Sequence, residues 1–118
     1  MKINILGTEY EIIKKKYDEE EAFERRSIDG FCDDYTKEII TCDMHTYKGW
    51  EHEADKTIKE CEKAILRHEI VHAFFSESGL KDSSFVYDGA WAKNEEMVDW
   101  LATQIPKIHK AFQEAGCL

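Results

Sequence analysis

The chain has 118 residues, fewer than the roughly 150 typical of one domain, so a single domain spanning 1–118 around one core is expected. Hydrophobic residues at 42% and aromatics at 12% exclude a disordered chain despite 35% charge. The formal charge of -9, from 16 Lys and Arg against 25 Asp and Glu, is the wrong sign for a surface that neutralises phosphates and excludes nucleic acid as the expected partner.

No apolar run approaches the roughly 20 residues that span a bilayer, and the run over 70–75 is broken by His72, so no membrane partner is expected. Residues 1–7 meet the polar pair Thr8 and Glu9 at once, without the apolar stretch or cleavage site of a secretory signal, and a cytoplasmic location follows as an expectation. Cys32, Cys42, Cys61 and Cys117 form no C-x-x-C pair and read as free thiols.

In chain order, residues 2–6 and 10–13 are rich in β-branched and aromatic types around Gly7-Thr8-Glu9, which predicts a hairpin. Residues 18–26 are a charge run whose apolar members are Ala22 and Phe23, predicted to be a solvated loop or short surface helix. Residues 31–33 and 38–42 flank Asp34-Tyr35-Thr36-Lys37 as a second hairpin, and residues 45–53, with Gly49 and no period, read as a loop. Over 54–77 there is no Gly or Pro and Gly79 stands just beyond, predicting a helix whose middle, Ile70, Val71, Ala73, Phe74 and Phe75, is apolar nearly all round and therefore buried. Residues 80–91 read as loop. A further helix is predicted over 92–105, with an apolar face of Met97, Val98, Leu101, Ile105 and Ile108 and a kink or restart at Pro106.

The first of these helices carries His68-Glu69-Ile70-Val71-His72. Four residues are about one turn, so the two imidazoles leave one face and can close on a single ion, while Glu69 is rotated aside to reach a water. At this composition the pattern is expected by chance only roughly 0.03 times. Left unpaired in an apolar segment these groups would each cost several kcal/mol, on the order of a buried unbonded polar group, and a cation satisfies them together. A catalytic zinc needs a third protein ligand, and Glu95 or Glu96 at the start of the next helix can supply it. Glu95 lies nearer the apolar face and has Asp99 one turn on, placed to hold a ligand histidine's second N–H; Glu96 is the alternative. Tyr47, Tyr87 and His109 are conceivable transition-state donors, though packing or surface roles explain each better. Cys42, Asp43, His45 and His52 match no recurrent ligand spacing.

His68-Glu69-Ile70-Val71-His72 followed by Asn94-Glu95-Glu96-Met97-Val98-Asp99 resembles the gluzincin branch of the zincin metallopeptidases, in which an N-E-x-x-x-D segment supplies the third ligand and its supporting aspartate. Small size and early hairpins before the helix are similar to the compact ImmA/IrrE-type metallopeptidases and zincin-like proteins of prophages and mobile elements; the resemblance covers roughly 30–105. It implies an α+β minimal zincin-like domain, with a small antiparallel or mixed sheet packed on the H-E-x-x-H helix and a C-terminal glutamate-bearing helix. It also implies Zn²⁺ held by His68, His72 and Glu95, Glu69 as general base, and hydrolysis of a protein or peptide substrate that pairs along the strand at 38–42. The alternative reading is a catalytically silent metal-binding regulatory or interaction module of a phage or mobile element.

Overall fold

The structure, a computed structural model, describes residues 1–82 and 90–118. Strand β1 (Lys2–Ile5) and strand β2 (Thr8–Lys15) pair antiparallel, with Ile3 opposite Tyr10. Leu6 and Gly7 turn the chain with φ of 50° and 94°, the doubly positive geometry of a two-residue hairpin loop. The turn therefore falls one residue earlier than the Gly7-Thr8-Glu9 spacing predicts. The charged stretch that follows holds the short surface helix that is one of the two expectations, its charged side chains exposed, but its two apolar residues anchor it to the core. After a single 3-10 turn at Tyr17–Glu19, helix α1 (Glu21–Arg25) drives Phe23 fully into the core and buries Ala22.

Strand β3 (Gly30–Asp33) and strand β4 (Glu38–Cys42) form the second hairpin, as predicted. Its turn is held by Asp33, whose Oδ1 accepts the N–H groups of Tyr35 and Thr36 at 3.0 and 3.1 Å. The two hairpins join through β2 and β4, which run parallel with Ile12 opposite Ile39 and Ile13 opposite Ile40. The result is one mixed four-stranded sheet of order β1-β2-β4-β3. This order corrects one expectation: β4 at 38–42 has a partner on each side and no free edge for a substrate. The edge strand of this hairpin is β3, because the parallel joint places β4 inside.

Helix α2 (Asp55–Glu77) lies across the sheet, and helix α3 (Glu95–Ala115) lies against α2. Phe23, Ile40, Met44, Ile58 and Ile65 fill one end of the sheet–helix core, and Ile5, Tyr10, Ile39 and Ala73 fill the other. Val71 of α2 packs with Val98 and Ala102 of α3. The middle of α2 is thus buried on two flanks and not all round; Phe74, between those flanks, is 40% exposed. Helix α3 also departs from the 92–105 expectation. Trp91–Lys93 is a separate 3-10 turn, and Asn94 caps α3 by accepting the Met97 N–H at 2.9 Å, so the helix begins at Glu95. It continues through Pro106 to Ala115, where Gly116 takes a left-handed φ of 67°. Proline deletes one ladder bond, and the turns on either side carry the helix past it. The predicted loop over 80–91 falls partly on residues outside those described; Leu80–Asp82 is a 3-10 turn. The four cysteines are free thiols.

Besides the apolar core, polar and close backbone contacts tie α2 to the sheet. At its C-terminal end, Glu77 accepts from Thr8 Oγ1 (2.8 Å), Tyr10 Oη (2.7 Å) and Lys37 Nζ (2.6 Å), clamping both hairpins to the helix. Nearer its middle, the Gly30 backbone of β3 sits so close that a Cβ there would lie 2.8 Å from Ile65 Cγ2 and 3.2 Å from the Ile40 carbonyl oxygen. Gly30→Ala should cost about 1–3 kcal/mol by overpacking, read in denaturant melts. Hydrogen bonds from Lys37, then Tyr10 and Thr8, hold the Glu77 carboxyl down at about 2, against an unfolded carboxylate near 4.5. Its stabilising effect is therefore complete above about pH 5 and is lost as pH falls through 2. Glu77→Gln should lower the melting temperature by several degrees at pH 7 and close the gap to wild type as the pH approaches 2.

Candidate metal centre

One turn apart on α2, His68 and His72 set their rings edge to face, with centroids 4.7 Å apart and Nε2 atoms 3.0 Å apart. Glu95, the first residue of α3, brings Oε2 to 3.0 Å from His68 Nε2 and 3.3 Å from His72 Nε2. On the other side of the His68 ring, Asp99 Oδ1 lies 2.6 Å from Nδ1. A carboxylate only accepts, so Nδ1 carries a proton, which leaves Nε2, the nitrogen facing His72 and Glu95, as the one that can bind an ion. Burial lowers the pKa of His72, with Glu95 opposing that shift. Two imidazole nitrogens and a carboxylate oxygen thus meet at one point, where a cation would serve all three contacts at once. The donors fit such an ion. Ligand bonds of about 2.0–2.2 Å in tetrahedral array place ligand atoms roughly 3.3–3.6 Å apart, close to the separations seen here.

Glu95 reaches this point because of its place on α3. At 100° per residue, Glu95 and Ala102 are about 20° apart around the axis, with Val98 and Asp99 between them along the same stripe, and Val98 and Ala102 are the residues that pack on α2. The apolar face is therefore centred on Val98 and Ala102, not on Ile105, which is 48% exposed. Glu96 points elsewhere, into a shallow hollow with Asn94, Met97 and Trp100. Of the two candidates the geometry brings Glu95 to the imidazoles and leaves Glu96 away from them.

Glu69 is the other carboxylate within reach, its Oε1 4.0 Å from His68 Nε2. That is 1 Å farther than Glu95, which leaves it beside the point of convergence rather than on it. It is 5% exposed, and burial pushes its carboxyl up to about 7; His68 counteracts this, while Glu95 and Asp29 add to it. A base of that strength is matched to proton transfer near neutral pH.

These residues line one wall of a cleft of about 800 Å³ between α2, α3 and the β3 edge. Three of its members escaped the sequence reading. Asp29 is half-buried with its pKa raised by burial, Arg26 lies near enough to Glu69 to pull its pKa down, and Gly30 lets β3 approach α2. Asp29-Gly30 stands out in the sequence only as a turn signal. Tyr47 also lines the cleft, His109 lies on the exposed second half of α3, and Tyr87 lies outside the described residues. Away from this cleft, Asp43, His45 and Glu62 also approach one another, but each is engaged. His45 bridges Asp43 and Asp55 at 3.1 and 3.2 Å, and Glu62 accepts Lys14 Nζ at 2.7 Å and the Met44 N–H at 3.0 Å. These contacts fasten the loop after β4 to α2, and His52 takes no part.

No protein-family model, curated protein or solved structure matches the chain.

If the convergence holds an ion, purified protein carries one zinc per chain by elemental analysis, His68→Ala and Glu95→Ala lose it, and Glu96→Ala keeps it. Asp99→Asn should weaken zinc 10–100-fold in a chelator competition, the usual effect of removing a ligand histidine's partner.

Proposed function

We propose that this chain is a zinc-dependent metallopeptidase of gluzincin type, built on a minimal zincin-like domain. The observation that carries the reading is the triangle of His68 Nε2, His72 Nε2 and Glu95 Oε2, with sides of 3.0–3.3 Å, beside a buried glutamate. When bound, Zn²⁺ supplies Lewis acidity to the attacking water and the scissile carbonyl. The remaining work belongs to the chain. Asp99 fixes the His68 ring and its tautomer. Glu69, basic in the neutral range, takes the proton of the attacking water and returns it to the leaving amine. β3, an edge strand among the described residues, borders the cleft and offers backbone groups to an extended polypeptide.

Incubating wild type and Glu69→Gln with unstructured proteins, and reading the products by mass spectrometry, tests this. Wild type should cleave, and Glu69→Gln should lose at least about 100-fold while retaining zinc. Zinc bound equally by two inert proteins would replace the peptidase by the metal-binding module, in which the same triangle merely staples α3 to α2. Absence of zinc in wild type would defeat both.

A further inference from the structure

We propose that α3 pairs antiparallel with α3 of a second copy of this chain, about a two-fold axis at Gln104, on the side of the helix pair turned away from the cleft. The proposal does not depend on the peptidase reading.

The need for a cover comes from helix physics. Past Ala102 no described residue of α3 is buried, yet the helix continues over 103–115, about 20 Å, through Pro106. A stretch of that length is marginal in water on its own, and an interior proline weakens it further. Its large apolar side chains Ile105 and Phe112 are exposed. The radius of gyration reflects the projection, being 15.7 Å against about 13.5 Å for a compact chain of this length.

The uncovered side is a stripe. Measured from Gln104 at 100° per residue, Trp100, Ala111, Met97, Ala115 and Ile108 fall within about 40° on either side. Leu101, Val98 and Ala102, which pack on α2, fall at about 60–160°, and Glu95 beside the cleft at about 180°. The stripe and the cleft therefore lie on opposite sides of the α2–α3 seam. Phe74 of α2, also exposed, looks out on the stripe's side.

The stripe is complementary to itself. Reversed about Gln104, Met97 comes level with Ala111 and Trp100 with Ile108, so that large side chains meet smaller ones. The hollow of about 260 Å³ at Met97 and Trp100 then receives the other copy's Ile108. Gln104 meets its own counterpart, and each amide both donates and accepts. A single polar residue at the middle of an apolar seam fixes its register.

Charge selects the same partner and direction. Residues 103–115 carry Lys107 and Lys110 against Glu114, a net +1, whereas 95–102 carry Glu95, Glu96 and Asp99, a net -3. Antiparallel overlap lays the positive half of each helix along the negative half of the other. A parallel pair would align like with like and crowd two chains of charge -9 at one end. The two-fold contact closes on itself, so the assembly stops at a dimer.

Sedimentation velocity of the full chain over about 1–200 μM should show reversible exchange between monomer and dimer. Ile108→Lys and Trp100→Lys should each weaken dimerisation at least about tenfold, and cooperative melts by circular dichroism show that they fold. Lys110→Glu, at an exposed position level with the other copy's Glu96, should weaken it about two- to fivefold. Under oxidation, Gln104→Cys should link two copies through position 104, mapped by mass spectrometry, whereas Gln113→Cys, on the opposite side of the helix, should not. A monomer at every concentration overturns the proposal. So does a dimer indifferent to both seam lysines, or a link formed as readily by Gln113→Cys. Should either lysine variant lose its cooperative melt, the disulfide mapping decides.

Discussion

Helix α2 must bury two apolar flanks at once while carrying ionisable groups between them, and the rest of the molecule is arranged around that demand. Taking His68 as the origin and 100° per residue, Leu66, Ala73 and Ile70 fall at about 140–200° and meet the sheet, while Val71 and Phe75 fall at about 300–340° and meet α3. The arc from 0° to 100° is left for His68, His72, Ile65 and Glu69 in turn. Phe74, at about 240°, faces the solvent gap on the far side. Sheet and α3 are thus the two banks of a channel whose floor is the reactive arc of the helix.

Electrostatics sharpens the same picture. Lone pairs and carboxylates that would repel one another are crowded at the foot of α3. Packing of Val98 and Ala102 on α2 holds them there, because both carboxylates share that stripe. Glu69 is kept apart by the sheet side, under the Gly30 backbone, where desolvation and not hydrogen bonding sets its basicity. Of the two glutamates that flank His68, Glu95 is exposed and Glu69 buried, and burial is what raises the pKa of Glu69.

Much of this was legible from residue spacing. Both hairpins, the long helix with its two imidazoles on one face, and the choice of Glu95 with Asp99 follow from periods of 2 and 3.6 and from one-turn separations. What escaped were features set by long-range pairing. No local pattern tells that β2 and β4 lie side by side in parallel, so the wrong strand was given the free edge. Nothing in Phe23's charged surroundings announces that it plugs the core. Ile105 and Ile108 continue the apolar period of α3 past the point where α2 covers it, so the expected face took them in and omitted Ala102, which packs on α2 beside Val98. The helix start moved because Asn94's capping hydrogen bond outweighed the helix-forming residues ahead of it. Legibility thus depended on side-chain chemistry: the approach of Glu95 and Asp99 to the imidazoles, 23 to 31 residues away, was readable from ligand types on helix faces, whereas apolar and backbone pairings at long range left no such mark.

The parallel joint between β2 and β4 also bears on how the chain reaches this state. Each hairpin closes over a few residues and can form within roughly 1–10 μs. Their union cannot be zipped from either turn, since the stretch between Lys15 and Gly30 must first double back and seat its one aromatic plug. Closing that span spends backbone freedom before any ladder bond returns it. The channel has its sheet-side bank only once both hairpins share one sheet, so the cleft is a product of tertiary order and not of any one local element.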